Sequence, residues 1–221
     1  SDDYLILIDG EAIKGAKQNR IILSSLIIDH QNEVIVPVNC VEKGRWQYKS
    51  DKFQKASFSL SPKIRDTKTD YLKKGYDSQG AVWNEIDQLS EKEQKYSNTS
   101  DLGEILERNR THQVEDFLEN ISNTRCNGFI LQGIETSFIE FFYNREICKQ
   151  QIFKNVNGWI AEQHQSDDKN LEANFLLNKF LFENFENYKN IGVETSYITC
   201  NETNGKAMLY NGSLIHGFYY Y

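Results

Sequence analysis

The chain has 221 residues, of which 39% are apolar and 13% aromatic, so it can bury a substantial core and does not have the composition of a disordered segment. Its formal net charge of −7 argues against binding to duplex DNA or RNA, which needs a basic surface, although a local basic pocket for a small anion is compatible with it. No apolar run reaches the length that spans a membrane.

The N-terminus and the cysteines together predict a cytoplasmic protein. Ser1-Asp2-Asp3 does not resemble a signal peptide. The cysteines are far apart and form no Cys-x-x-Cys pair, which supports neither a disulfide framework nor a zinc site. They are Cys40, Cys126, Cys148 and Cys200. We expect free, mostly buried thiols in a reducing compartment and predict no metal site.

The first third of the chain reads as strands, because β-branched and leucine-rich runs alternate with polar or glycine punctuation. The predicted strands cover 4–10, 20–29, 33–42 and 55–61. The middle third reads as helices. Asp77 is a candidate N-cap for a helix with Val82, Ile86 and Leu89 on one face, and Asp101 with Glu104 forms a capping-box pattern before helical spacing that continues to about residue 122.

The last third mixes a hairpin, two helices and three strands. The hairpin is predicted at 128–144, the helices at 145–164 and 171–188, and the strands at 193–200, 205–210 and 213–221. Asn204-Gly205 and Asn211-Gly212 separate the last three runs, and Asn-Gly is a strong hairpin signal because both residues tolerate positive φ. The sequence therefore predicts one α+β domain over residues 1–221, with N-terminal strands, central helices and a C-terminal antiparallel β-meander.

The segment PVNCVEKGRW, residues 37–46, begins as a buried strand and ends with charged and aromatic residues. Gly44 can break the strand alternation, so that Glu42 and Arg45 converge. One interpretation is an ion pair that closes the strand end, with Trp46 in the core. The other is a binding site, where Arg45 meets a phosphate or carboxylate, Trp46 stacks on a ring and Glu42 holds a hydroxyl or water. Asn39, polar on an apolar face, needs a partner or a ligand in either case.

Several segments in order along the chain resemble the ARPP-1 family, the ARG and rhodanese-phosphatase-superfamily-associated protein domain. They are QNR (18–20), PVNCVEKGRW (37–46), SQGAVWNEI (78–86), SNTS (97–100) and GSLIHGFYY (212–220). The motif positions are Gln18, Asn19, Arg20, Glu42, Gly44, Arg45, Trp46, Gln79, Trp83 and His216. The resemblance implies a place in NAD- or ADP-ribose-linked biology, including immune signalling by such nucleotides, and assigns no reaction or cofactor. Ser78 stands where the family pattern often has an acidic residue, with Asp77 one place earlier.

We expect a module that binds a nucleotide-like anion related to ADP-ribose. The candidate ligand-binding residues are Gln18, Asn19, Arg20, Asn39, Arg45, Trp46, Gln79 and His216. One alternative is a hydrolase of the same ligands, with Glu42 as general base and Arg45 stabilising developing charge. Another is a structural or interaction domain, in which His216 is a hydrogen-bonded strand residue and Trp83 packs in the core. The terminal tyrosines fit either ligand stacking or a contact between copies in a homo-oligomer.

Overall fold

A computed structural model describes most of the chain, with gaps. The described residues are 4–29, 31, 33–45, 47–92, 97–107, 112–121, 124–132, 137–162, 185–188, 195–200 and 204–220. The helices are α1 (Pro62–Lys73), α2 (Gln79–Lys92), α3 (Leu102–Glu107), α4 (His112–Ile121) and α5 (Arg145–Glu162). None of these helices is both long and apolar enough to cross a bilayer.

The strands form three antiparallel sheets, which together with the helices confirm the α+β class. The strands are β1 (Tyr4–Leu7), β2 (Glu11–Lys14), β3 (Arg20–Ile22), β4 (Leu26–Asp29), β5 (Val38–Cys40), β6 (Gln54–Ser59), β7 (Gly128–Gln132), β8 (Ser137–Phe142), β9 (Phe185–Tyr188), β10 (Thr195–Cys200), β11 (Gly205–Tyr210) and β12 (Ser213–Tyr220). The six-stranded sheet has the order β7-β8-β12-β11-β10-β9, the four-stranded sheet β5-β3-β2-β6, and β1 pairs with β4.

The C-terminal meander is confirmed, since β10, β11 and β12 pair antiparallel in sequence order. Asn211 and Gly212 both have positive φ, 48° and 74°, as a tight hairpin between β11 and β12 requires. The predicted hairpin at 128–144 is also present as β7 and β8. The β11–β12 turn follows from local Asn-Gly chemistry, which a sequence displays directly.

Two of the predicted N-terminal strands are wrong in extent. The run 20–29 is two strands in two different sheets, and the break falls at the buried Ser24 and Ser25. The run 33–42 is a strand only at Val38–Cys40. Pro37 has no N–H to donate to a ladder, and its carbonyl instead accepts a hydrogen bond from the Leu23 N–H at 3.1 Å.

The helix prediction has one omission and one error. Helix α1 was not predicted, because it buries Arg65 and Lys68 where an apolar stripe would be expected. The predicted helix at 171–188 is wrong at its end, since residues 185–188 form strand β9, and 171–184 lie outside the described residues. The predicted helix at 145–164 is present as α5 up to Glu162.

Helix α5 lies between the two larger sheets and contributes to both main cores. Cys148, Ile152 and Val156 pack in a core with the six-stranded sheet, and Ala161 packs in a core with residues from β6. At Gly158, an added Cβ would lie 2.8 Å from the Cα of Ser61, so only glycine allows this close approach. The contact brings the end of α5 against the start of α1.

Candidate functional site

The Glu42 carboxylate is the centre of a closed hydrogen-bonded group, which we call the motif cluster (Gln18, Asn19, Glu42, Arg45, Thr99 and Asp101). Glu42 Oε1 accepts from Arg45 Nε at 2.6 Å and from Thr99 Oγ1 at 3.3 Å, and Oε2 accepts from the Asn19 N–H at 3.1 Å. Burial by itself raises the pKa of Glu42, but the hydrogen bonds from Arg45 and Asn19 outweigh it and lower that pKa below its ordinary value. Glu42 therefore lies in its ionised form with both oxygens occupied.

Arg45 is equally committed to protein partners. Its Nη1 donates to the carbonyls of Ala16 at 3.3 Å and Gln47 at 2.9 Å, and Nη2 donates to Asn19 Oδ1 at 3.2 Å. Its side chain is only 7% exposed, which leaves little surface for a ligand. This geometry matches the ion-pair interpretation of the 37–46 segment; Trp46 lies outside the described residues.

Gly44 explains why the pair can form at a strand end. Its N–H donates to the Thr99 carbonyl at 2.8 Å, and an added Cβ would lie 2.9 Å from the Thr99 Cα. The backbone at Gly44 therefore packs directly on the segment before α3, where Glu42 also forms an isolated bridge with Asp101. Asp101 accepts from Asn19 Nδ2 at 3.2 Å, so the cluster joins three separate parts of the chain.

The remaining predicted residues of the N-terminal half also bind other parts of the protein. Gln18 Nε2 donates to the Glu42 carbonyl at 2.9 Å, and Arg20 Nη1 donates to Gln18 Oε1 at 3.1 Å. Asn39 Nδ2 donates to Ser78 Oγ at 2.7 Å. Gln79 accepts from the Cys40 N–H at 2.7 Å and donates to the Cys40 carbonyl at 2.9 Å, so its amide pairs with β5 like a neighbouring strand.

A polar cavity of about 380 Å³ lies beside the motif cluster. It is lined by Lys14, Gly15, Asn19, Lys49, Ser50, Gln54, Asp101, Glu104 and Glu107. Its lining carries three carboxyl groups and two lysines. The cavity touches the motif cluster only at Asn19 and Asp101.

His216 belongs to a second polar group, the buried charge network (Asp9, Arg65, Lys68, Glu140 and His216). Its Nε2 lies 2.9 Å from Glu140 Oε1 and its Nδ1 lies 2.7 Å from Ser25 Oγ. Ser25 also accepts from the Asp9 N–H at 2.8 Å. Burial lowers the pKa of His216, which keeps the ring neutral at pH 7. Ser25, His216 and Glu140 thus form a row of hydrogen bonds, but all three are buried, so the arrangement is a structural one.

Arg65 and Lys68 provide the positive charges of that network. Arg65 Nε donates to Asp9 Oδ1 at 3.0 Å, Arg65 Nη1 lies 2.7 Å from Glu140 Oε1, and Lys68 Nζ also bonds Asp9. Burial lowers the pKa of Lys68 to about 8, against the opposing effect of Asp9. The guanidinium carbon of Arg65 lies 4.2 Å from the Phe218 ring centroid and 5.2 Å from that of Phe138, which are cation–π distances.

Phe138 also lines a cavity of about 340 Å³, which we call the α1–α5 pocket. It is lined by Pro62, Lys63, Asp66, Leu131, Ser137, Phe138, Trp159, Glu162, Asn204 and Tyr220. Three polar atoms of this lining are buried and find no hydrogen-bond partner among the described residues: Ser137 Oγ, Trp159 Nε1 and Tyr220 OH. Since buried polar groups are normally bonded, these three atoms mark the pocket as a place where a ligand or water belongs.

Two carboxyl groups lie in the same pocket. Both oxygens of Glu162 accept from the Lys63 N–H at 3.1 Å, so Glu162 caps the start of α1 from the end of α5. Burial nevertheless raises the pKa of Glu162 to about 7. Burial also raises the pKa of Asp66, although Asp66 Oδ1 accepts from Asn204 Nδ2 at 2.7 Å. An aromatic wall, unpaired polar atoms and carboxyls with raised pKa values are typical of a ligand-binding or active site.

Sequence reasoning missed this pocket, because its residues come from α1, α5, β7, β8 and β12 and share no local pattern. Ser61-Pro62 was the available signal, since proline at the first helical position after serine indicates a helix start. Of the predicted contact residues, Gln18, Asn19 and Arg45 lie in the motif cluster and His216 in the buried charge network. The others that the structure describes bond elsewhere: Arg20 to Gln18, Asn39 to Ser78 and Gln79 to the Cys40 backbone. In the described part of the chain, no group of three or more His, Cys, Asp or Glu residues could hold a metal ion.

Comparison with models of known protein families identifies the family of this chain. The model for the ARPP-1 family, the ARG and rhodanese-phosphatase-superfamily-associated protein domain, matches residues 1–220. The chain therefore belongs to the ARPP-1 family. Comparisons with curated proteins and with solved structures gave no significant match.

Proposed function

We propose that this ARPP-1 protein binds a nucleotide-like ligand related to ADP-ribose in the α1–α5 pocket. The observation that carries the proposal is a set of three buried polar atoms, on Ser137, Trp159 and Tyr220, which have no hydrogen-bond partner among the described residues and belong to residues that line one cavity. The association with ARG and rhodanese-phosphatase proteins in the family description fits an ADP-ribose context. The proposal replaces the motif cluster as the ligand site, since the described bonds of Glu42 and Arg45 are internal.

The lining of the pocket offers contacts for the base, the ribose and the phosphate of a nucleotide. Its volume of about 340 Å³ is in the range of small-molecule sites. Phe138 and Tyr220, with ring centroids 4.9 Å apart, form an apolar wall for a flat base. Asp66 and Glu162 supply acceptors for ribose hydroxyls, and the exposed Lys63, whose Nζ pairs with Glu85 at 3.1 Å, is the cation at the lining that a phosphate can meet.

Titration calorimetry with ADP-ribose, NAD and adenosine tests this proposal. We expect Trp159→Phe, which removes the unpaired indole N–H, to weaken ADP-ribose binding about tenfold, the effect of losing one good hydrogen bond. Trp83→Phe is the matched control. The Trp83 Nε1 likewise has no partner among the described residues. Trp83 lies on α2, however, and packs against a different core from that of Trp159, as predicted, so this change should leave affinity unaltered. If none of the three ligands binds, or if both variants bind like the wild type, the proposal is wrong.

A second candidate function, hydrolysis of the same ligand, is favoured by the raised pKa of Glu162. A carboxyl group with a pKa near 7 can accept or donate a proton at neutral pH, as a general acid or base must. Glu42, the predicted base, has a lowered pKa and is less suited to that role.

Chromatography of ADP-ribose incubated with the protein separates the two candidates. New products that disappear in Glu162→Gln, while affinity persists, support catalysis. A retained, unchanged ligand supports binding alone. If the products disappear only in Glu42→Gln, the catalytic residue is Glu42 and the active site lies in the motif cluster.

A further inference from the structure

Cys126 and Cys148 place two thiols in contact at the edge of the core behind β7. Their Sγ atoms lie 3.8 Å apart, although the residues are 22 positions apart in sequence. Cys148 lies in the first turns of α5 and is fully buried, whereas Cys126, just before β7, is partly exposed. One thiol can therefore meet a solvent-borne reagent, and the second is already beside it.

Neighbouring side chains hold the two backbone segments together. Asn127 Nδ2 donates to the carbonyls of Phe142 and Tyr143, at 3.0 Å each, and its Oδ1 accepts from Arg145 Nε at 3.0 Å. Asn144 Oδ1 accepts from the Glu146 N–H at 2.8 Å and caps the start of α5. The thiol contact thus lies in a locally fixed frame, and a disulfide requires the sulfur atoms to close from 3.8 Å to about 2.05 Å.

We propose that Cys126 and Cys148 are a redox pair that reacts with a hydroperoxide and closes reversibly to a disulfide. The inference is independent of the α1–α5 pocket. In the first step the Cys126 sulfur attacks the peroxide O–O bond, which breaks to give a sulfenic acid and water or an alcohol. In the second step the Cys148 sulfur attacks the Cys126 sulfur. The S–O bond breaks, the hydroxyl leaves as water with the Cys148 proton, and an S–S bond forms. A dithiol reductant reverses the reaction.

The environment of the two thiols fixes their order of reaction. Burial, together with the adjacent Cys126, raises the pKa of Cys148 to about 12, so Cys148 stays a protonated thiol. Because Cys148 is buried and Cys126 is partly exposed, peroxide reaches Cys126 first. Cys148, already in contact with the Cys126 sulfur, acts as the resolving group and gives up its thiol proton as it attacks the sulfenic acid. Cys40 lies on β5, in the four-stranded sheet, and serves as an internal control.

The test is titration of the full chain with hydrogen peroxide, followed by thiol blocking and peptide mass spectrometry. We expect a Cys126–Cys148 cross-linked peptide, with the intact mass lower by about 2 Da, reversed by dithiothreitol. Cys40→Ser should keep the cross-link and Cys126→Ser should abolish it and leave Cys148 unmodified. Over-oxidation of Cys126 beside an intact Cys148 thiol would overturn the proposal. So would a cross-link between two chains through Cys126, or ready oxidation of Cys148 in the Cys126→Ser protein. The wild-type map needs no variant, so a failure of either variant to fold leaves the test intact.

Discussion

The motif cluster and the α1–α5 pocket both contain buried polar atoms, but they differ in what those atoms bind. In the motif cluster, Glu42 and Arg45 are bonded to each other and to backbone and side-chain groups around them. In the pocket, polar atoms of the lining residues Trp159 and Tyr220 are buried and have no hydrogen-bond partner among the described residues. The difference teaches that a charged motif indicates a binding or catalytic site only where some of its hydrogen-bond donors and acceptors remain without a protein partner after folding.

The largest expected effect is on stability and comes from the motif cluster. Arg45→Ala should lower the free energy of unfolding by about 3–5 kcal/mol, because it leaves the buried Glu42 carboxylate without its cation. Denaturant unfolding measures this loss, and the folded fraction should keep its affinity for ADP-ribose. Lys43→Ala is the control, since Lys43 pairs with Asp87 at the surface and should contribute less than about 1 kcal/mol. A stable Arg45→Ala protein that no longer binds ADP-ribose would instead place the ligand site in the motif cluster.

Next is the pH dependence that Glu162 gives the pocket. The folded pKa of Glu162, about 7, lies above its ordinary value of 4.5. The folded state therefore binds more protons between these values, and stability falls as pH rises from about 4.5 to about 7, by about 2–3 kcal/mol. Glu162→Gln should flatten the curve of unfolding free energy against pH in that window. The exposed Glu146→Gln should not, and an unchanged slope in Glu162→Gln would show that its carboxyl is solvated.

Gln79 is expected to have a smaller, purely structural effect. Gln79→Ala removes both hydrogen bonds to the Cys40 backbone and should cost about 1–2 kcal/mol of unfolding free energy. Affinity for ADP-ribose should not change, whereas an exposed control, Gln150→Ala, should change neither quantity. Thermal melts with and without ligand measure both, and a loss of affinity without a loss of stability would place Gln79 in the ligand site.

The smallest stability change is expected at Tyr220. Tyr220→Phe removes a buried hydroxyl that has no partner among the described residues, so the fold should stay within about 1 kcal/mol of the wild type or gain stability. Ligand affinity should nevertheless fall about fivefold to tenfold, measured by calorimetry. The exposed Tyr76→Phe controls for loss of a hydroxyl alone. A marked destabilisation by Tyr220→Phe would mean that the hydroxyl is bonded within the protein.

The sequence predicted what depends on local chemistry. Asn211-Gly212 indicated the β11–β12 hairpin, and Gly44 indicated that Glu42 and Arg45 could converge. It did not predict α1, because the buried face of that helix carries Arg65 and Lys68, whose charges are compensated by Asp9 and Glu140 from distant segments. For the same reason the α1–α5 pocket could not be predicted, since the approach of Glu162 to α1 depends on tertiary packing at Gly158.

The buried charge network also bears on how the protein reaches its folded state. The Ser25–His216 contact closes a sequence separation of 191 residues, and the Asp9–Arg65 contact one of 56. Contacts between residues so far apart form slowly, because a long loop must close before they add any stability. Ribosomal synthesis makes Arg65 before Glu140, so until Glu140 is translated the Arg65 guanidinium lacks one of the two carboxylates that pair with it in the folded state. Complementation between two separately expressed fragments should then restore the fold only when both sides of this network are present.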